Sequence, residues 1–177
     1  FIGDSTFMHS GITGLANAVY NKRNITVALL DNSITAMTGH QDHPGTGKTL
    51  MGEETTSVDY VGLAKSLGVK DIHETDAFNL KNIKETLNKT TSTEGTSLII
   101  NKGRCILLDI KNTKITPCTV NHDKCIACGL CLKVGCPSLS RDPESRKAVI
   151  DPYLCAGNKC TICAQVCPKE AIELLEK

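Results

Sequence analysis

Eight of the ten cysteines crowd between Cys125 and Cys167, in two tracts that restrict what this part of the chain can fold around. The first tract is Cys125-x2-Cys128-x2-Cys131-x4-Cys136-Pro137 and the second is Cys155-x4-Cys160-x2-Cys163-x3-Cys167-Pro168. Two tracts of four cysteines, each closing in Cys-Pro, are the signature of a chain wrapped around two four-iron, four-sulfur cubanes. Three close thiolates of a tract hold one cluster, and the fourth crosses to the other. On that pattern Cys125, Cys128, Cys131 and Cys167 hold cluster 1, and Cys136, Cys155, Cys160 and Cys163 hold cluster 2. Disulfides are disfavoured in a chain without a secretory signal. A zinc ribbon built from two C-x2-C pairs would leave four clustered cysteines unexplained. Cys105 and Cys118 read as small buried residues or bystander thiols.

From about Thr119 to Lys177 these tracts resemble the bacterial two-cluster ferredoxin domain, a small α+β fold. The segment Arg141–Ile150, with Asp142-Pro143 as its turn, fits the hairpin of that fold. Both tracts depart from the family spacing. The first has four residues before its Cys-Pro, and the second carries Ala156-Gly157-Asn158-Lys159 where two residues are usual, so Cys155 is the least secure of the eight ligands.

The remainder is organised differently. Strand-like and helix-like segments alternate from Phe1 to about Ile110, which predicts a parallel sheet with helices on both faces. Strands are expected at Phe1-Ile2, Ile25–Leu30, Val69–His73 and Ser97–Ile100, with helices over Ile12–Val19, Val58–Leu67 and Leu80–Leu87. Lys89–Thr96 reads as an exposed polar loop. The expected domains are therefore 1–110, a linker at 111–118, and 119–177. A start at Phe1 without Met, inside a strand, reads as a fragment of something longer.

The chain has 177 residues, 40% hydrophobic content and a net charge of +1, with three Tyr, three Phe and no Trp. Scattered basic residues and few aromatic rings argue against a nucleic-acid partner. No run approaches the roughly 20 apolar residues that span a bilayer, and no signal peptide opens the chain, so neither a membrane nor export is expected and the location reads as cytoplasmic.

Gly47-Lys48-Thr49 ends like a nucleotide-binding phosphate loop, but the first glycine of G-x-x-x-x-G-K-[ST] would fall at Asp42. A carboxylate there opposes phosphate, and the nearest expected strand ends well upstream. The diphosphate site is expected elsewhere. Gly3-Asp4-Ser5-Thr6 stands at the carboxyl end of the first strand and Asp31-Asn32 at that of the second, where open parallel sheets bind ligands. Asp4 and Asn32 offer hard oxygens for Mg2+. Backbone N–H groups around Ser5 and Thr6, near a helix start, suit a diphosphate.

Gly-Asp-x, 25 residues and Asp-Asn resemble the thiamine diphosphate motif. That likeness implies Mg2+ bound by Asp4, Asn32 and the carbonyl of Ile34, with Gly3, Ser5 and Thr6 at the cofactor. Gly3-Asp-Ser-Thr-Phe-Met-His-Ser-Gly11, Leu30-Asp-Asn-Ser-Ile-Thr-Ala-Met-Thr-Gly-His-Gln41 and His43-Pro-Gly-Thr-Gly47, followed by the two cluster tracts, resemble the α subunit of indolepyruvate ferredoxin oxidoreductase in its carboxyl-terminal portion. The resemblance implies oxidative decarboxylation of an aryl pyruvate. The acyl group would pass to coenzyme A, and electrons would leave singly through the clusters to an external ferredoxin. It further implies a β subunit and a separate pyrimidine-binding domain that supplies a Glu. Glu53 and Glu54 are read as surface acids instead, and the chain alone is expected to be inactive.

His9 follows the diphosphate corner and His40 lies just beyond the Mg2+ corner, so both are candidate catalytic side chains; the alternative is that both are simply solvated or bonded to backbone. A zinc site from His40 and His43 lacks a third ligand. Two further readings stay open: a different 2-oxo acid such as pyruvate, and a non-catalytic electron carrier whose α/β domain only docks a partner.

Overall fold

The computed structural model describes residues 1–109 and 114–175. The chain divides into two compact units, Phe1–Cys105 and Ile106–Lys177. Part of the expected linker, residues 111–113, lies outside the described residues.

In the first unit β1 (Ile2–Gly3), β2 (Ile25–Asp31), β3 (Asp71–Asp76) and β4 (Thr96–Lys102) form a parallel sheet in the order β1-β2-β4-β3. A helical run leads from α1 (Asp4–Thr6) through a π-helical stretch, Phe7–Gly11, into α2 (Ile12–Tyr20). The crossovers carry α3 (Tyr60–Ser66) and α4 (Leu80–Thr91), as parallel pairing demands. Asp59 and Asn79 cap these helices by accepting the N–H of Val61 and Asn82, both at 3.0 Å.

Residues 97–100 of β4 are all buried, as the central position of that strand requires. Leu98 and Ile100 pack with Leu29, Phe7, Leu15 and Ala64, so one sheet face meets the first helical run and α3. Strand alternation turns Ser97 and Ile99 to the other face. Helix α4 packs against the sheet strands and buries Thr86 and Thr90.

Two of the boundaries that differ from expectation have a visible cause. Helix α4 continues to Thr91, into the Thr-rich stretch expected to be a loop. Thr91, Ser92 and Thr93 donate their hydroxyls to the carbonyls of Leu87, Asn88 and Lys89 at 2.7, 2.9 and 2.9 Å, which satisfies the helix end. Strand β3 starts at Asp71 rather than Val69, because the Val69 N–H closes the end of α3 on the Ala64 carbonyl at 3.0 Å.

In the second unit α5 (Ile106–Asp109) precedes two small antiparallel sheets. One pairs β5 (Cys118–Val120) with β8 (Ile172–Leu174), so Cys118, assigned to the linker by sequence, opens a strand. The other is the expected hairpin of β6 (Leu139–Arg141) and β7 (Ala148–Ile150). Its turn is held by Asp142, which accepts the N–H of Ser145 at 2.6 Å. The cysteine loops include the short helix α6 (Ile162–Gln165). Among the described residues no helix is long and apolar enough to cross a membrane.

Candidate functional site

Asp4 is 3% exposed at the carboxyl end of β1, where a buried carboxylate requires partners. Its Oδ1 accepts the N–H of Ser5 at 2.8 Å, and its Oδ2 accepts those of Asn32 at 3.1 Å and Ser33 at 2.9 Å. One side chain thus ties the end of β1 to the turn after β2. The Ser5 N–H, expected to be free for a diphosphate, is therefore engaged by Asp4. Asn32 Oδ1 accepts the Ile34 N–H at 3.1 Å, and Ser33 sits at φ +62°, a left-handed conformation that non-glycine residues seldom adopt.

Asp4 uses three of about four acceptor directions on its carboxylate, and Asn32 Oδ1 one of two. His43 Nε2 and the Asp31 carboxyl also approach the Asp4 carboxylate, while Asn32 Oδ1 keeps an acceptor direction; Asp4 and Asn32 both offer hard oxygens of the kind Mg2+ takes. A Cβ built on Gly3 would meet nothing within 4 Å, so the backbone there is open to a ligand. The hard oxygens of Asp4 and Asn32 and the open backbone at Gly3 are chemically compatible with a magnesium diphosphate.

Beside Asp4 stands Asp31, whose carboxyl is pushed above its ordinary range by burial, with the nearby Asp4 charge adding to the effect and the Ser33 N–H opposing it. Burial, then the charges of Asp31 and Asp4, also push the Tyr60 hydroxyl up.

A cleft of about 690 Å³ opens beside this corner, lined by Ser5, His9, Thr35, Gln41, His43 and Thr49 among others. Thr35 donates its hydroxyl to Ser5 Oγ at 2.9 Å, which ties the loop after β2 to the start of the first helix. His9 lies in the π-helical stretch, a helical irregularity frequent at functional sites. Thr6 and His40 are exposed.

From sequence His43 is set beside His40 only as half of an incomplete zinc site. The structure buries it, 7% exposed, with Nε2 at 3.3 Å from Asp4 Oδ2 and Nδ1 accepting the Gly45 N–H at 3.2 Å. A Cβ at Gly45 would overlap the Tyr60 hydroxyl, so the packing there calls for glycine. Lys48 and Thr49 lie in an irregular loop, and the next helix begins only at Tyr60, so the phosphate-loop geometry is not formed.

In the second unit Cys125, Cys128, Cys131 and Cys167 line one cavity. Burial, and then the neighbouring Cys167, Cys128 and Cys125, push the Cys131 thiol up against the opposing pull of its backbone. Cys163 is pushed up by burial, then by Cys155 and Cys160, with Cys136 of the other tract a further neighbour. Cys125, Cys128, Cys131 and Cys167 thus lie near one another, and Cys163 lies near Cys155, Cys160 and Cys136, with the Cys118 thiol also beside Cys155 and Cys163. Among the described residues no three His, Cys, Asp or Glu side chains converge on a single-ion position. A cubane binds each thiolate to a separate iron, which spaces them more widely.

The residues inserted after Cys155 form a 3-10 turn, Gly157–Lys159, docked on Thr116. The Asn158 N–H donates to the Thr116 carbonyl at 3.0 Å, and Asn158 Oδ1 accepts the Thr116 N–H at 3.1 Å. Cys155 Sγ accepts the N–H groups of Cys118 at 3.4 Å and Gly157 at 3.3 Å, so the insertion fixes this thiol in place.

Residues 1–100 match the family model described as thiamine pyrophosphate enzyme, C-terminal TPP binding domain. The chain is 42% identical to the indolepyruvate oxidoreductase subunit IorA of Pyrococcus abyssi over 97% of its own length and 27% of the relative's. The corresponding subunit of Thermococcus kodakarensis is 40% identical, over 99% of this chain and 28% of the relative. The chain thus spans about a quarter of the length of the curated relatives it matches. Among solved structures, the 2-oxoglutarate:ferredoxin oxidoreductase of Magnetococcus marinus superposes with a TM-score of 0.54 at 19% identity, covering 58% of this chain and 38% of that one, a likeness of fold.

Proposed function

Because the chain belongs to the thiamine pyrophosphate enzymes through their C-terminal TPP-binding domain, we propose that it is the cofactor-binding and electron-exporting part of a ferredoxin-dependent 2-oxo acid oxidoreductase. The proposed substrate is indolepyruvate or another aryl pyruvate, converted to its acyl-coenzyme A and carbon dioxide. The names of the relatives support the substrate class. The observation that carries the reading is Asp4, a buried carboxylate that gathers the turn of Asn32 and Ser33 at the ends of two neighbouring parallel strands.

In this role the Asp4 carboxylate, the Asn32 amide oxygen and the Ile34 carbonyl hold Mg2+, while Gly3, Ser5 and Thr6 face the diphosphate. Thiamine diphosphate, when bound, supplies the electron sink for cleaving the bond between the keto and carboxyl carbons. His43 keeps the Asp4 carboxylate in place, and His9 stands in the cleft within reach of a substrate. His40, exposed on the loop after β2, is the second candidate. Cys125, Cys128, Cys131 and Cys167 hold one 4Fe-4S cluster, and Cys136, Cys155, Cys160 and Cys163 the other. Burial pushes the Cys131 and Cys163 thiols up; thiols bind iron as thiolates, so cluster assembly would release their protons to solvent.

The partners under this proposal are a β subunit, a pyrimidine-binding domain and an external ferredoxin, in a cytoplasmic setting. Calorimetry with thiamine diphosphate and Mg2+ tests the cofactor site. Binding by the native protein and its loss in Asp4→Ala are expected; no binding by either would instead leave an electron-carrier module.

A further inference from the structure

Beyond the ligands themselves, a buried hydroxyl reaches a ligand sulfur. Ser138 Oγ lies 3.1 Å from Cys136 Sγ, and Ser138 is 3% exposed. Between a free thiol and a hydroxyl either group can donate. Once Cys136 is a thiolate on iron it has no proton to give, so the Ser138 hydroxyl donates. The backbone holds this arrangement: the Leu139 N–H donates to the Cys136 carbonyl at 3.1 Å, and the Asp151 N–H to the Ser138 carbonyl at 2.8 Å. Ser138 is thereby fixed beside the crossing cysteine at the entrance to β6.

The two tracts differ at this position. The second crossing cysteine is followed by Pro168 and Lys169, whose side chain has no hydroxyl, and Cys167 Sγ accepts the backbone N–H of Ala171 at 3.3 Å. A side-chain hydroxyl therefore bears on cluster 2 at a position where cluster 1 has a lysine.

We propose that Ser138 raises the reduction potential of the cluster held by Cys136, Cys155, Cys160 and Cys163, selectively, by donating its hydroxyl to the Cys136 sulfur. This rests on the two-cluster reading above. One electron entering the cluster converts one ferric equivalent to ferrous and adds one negative charge; no bond to Ser138 breaks and its proton stays on oxygen. The electron comes from the 2-oxo acid in the proposed reaction and from dithionite in a titration. The hydrogen bond is stronger to the more negative, reduced cluster, so it favours reduction.

The test is an anaerobic redox titration of the full chain carrying its clusters, followed by electron paramagnetic resonance, for native protein, Ser138→Ala and Ser138→Thr. Ser138→Ala should lower the potential of one cubane signal, by about tenfold in its reduction equilibrium, or about 59 mV for a one-electron couple. The other signal should hold, and Ser138→Thr, which keeps the hydroxyl, should titrate near the native protein. Equal iron in all three proteins with an unmoved potential overturns the assignment, as does an equal shift of both signals or loss of a cluster in Ser138→Ala. A native chain that assembles no cubane overturns the two-cluster reading as well.

Discussion

His43 Nε2 stands 3.3 Å from Asp4 Oδ2, with both side chains about 4% exposed. Because Nδ1 accepts the Gly45 N–H, the ring proton is assigned to Nε2, on the side of the carboxylate. The approach is too poorly aligned for a hydrogen bond, so the contact is electrostatic. His43→Ala removes it and leaves a void beside a buried carboxylate. A loss of about 1–3 kcal/mol in urea unfolding of the first unit is expected, together with weaker Mg2+-dependent binding of thiamine diphosphate. Native affinity in that variant would detach His43 from the site.

Gly45 and Tyr60 give a paired prediction. A methyl at position 45 collides with the Tyr60 hydroxyl, so Gly45→Ala should cost about 1–3 kcal/mol, read from the unfolding midpoint. The Tyr60 hydroxyl is buried without a hydrogen-bond partner. Tyr60→Phe should therefore match or exceed the native midpoint while keeping the edge contact with Phe7, whose ring centroid lies 6.0 Å away.

Asp71 sets part of the response to acid. Burial pushes its carboxyl up, but the Ser97 hydroxyl beside it and the His73 ring, 2.8 Å away, outweigh burial and leave it below its ordinary 3.8. Ser97 Oγ is not aligned as a full hydrogen bond, which leaves His73 the clearer partner. A carboxyl depressed in the folded state adds stability above its unfolded value, and that stability is lost as pH falls through the lower folded value. Asp71→Asn should therefore destabilise the first unit at pH 7, with the gap to the native protein closing below about pH 4 in urea titrations followed by circular dichroism.

Removal of iron should affect the two units differently. The second unit buries little beyond Cys118, Cys131, Ala148 and Ile172, too small a core to stand without a staple. After chelation, limited proteolysis should cut within residues 114–175 while 1–105 stays protected. Equal protection of both would show that the clusters are not structural.

The parallel sheet was legible because β4 and β2 are apolar runs of strand length, and the nearness of Cys125, Cys128, Cys131 and Cys167 because the first three are each separated by two residues in the chain. The end of α4 was not, since threonine scores as a loop former until its hydroxyl bonds back to the preceding turn, as Thr91 does, or its methyl is buried, as at Thr90. Asp4 was legible by its spacing from Asn32, yet the bonds it makes to Ser5, Asn32 and Ser33 were not, because they depend on the register of β1 against β2. His43 was missed because one histidine in a loop gives no periodic signal, and only the folded loop brings it to Asp4.

The most direct measurement is anaerobic addition of an aryl pyruvate to the complete enzyme with thiamine diphosphate and Mg2+, watching the clusters by electron paramagnetic resonance. The account predicts that reduced cubane signals appear in the native enzyme and fail to appear with Asp4→Ala. Clusters that stay oxidised in the native enzyme, or that are reduced equally with Asp4→Ala, would contradict it.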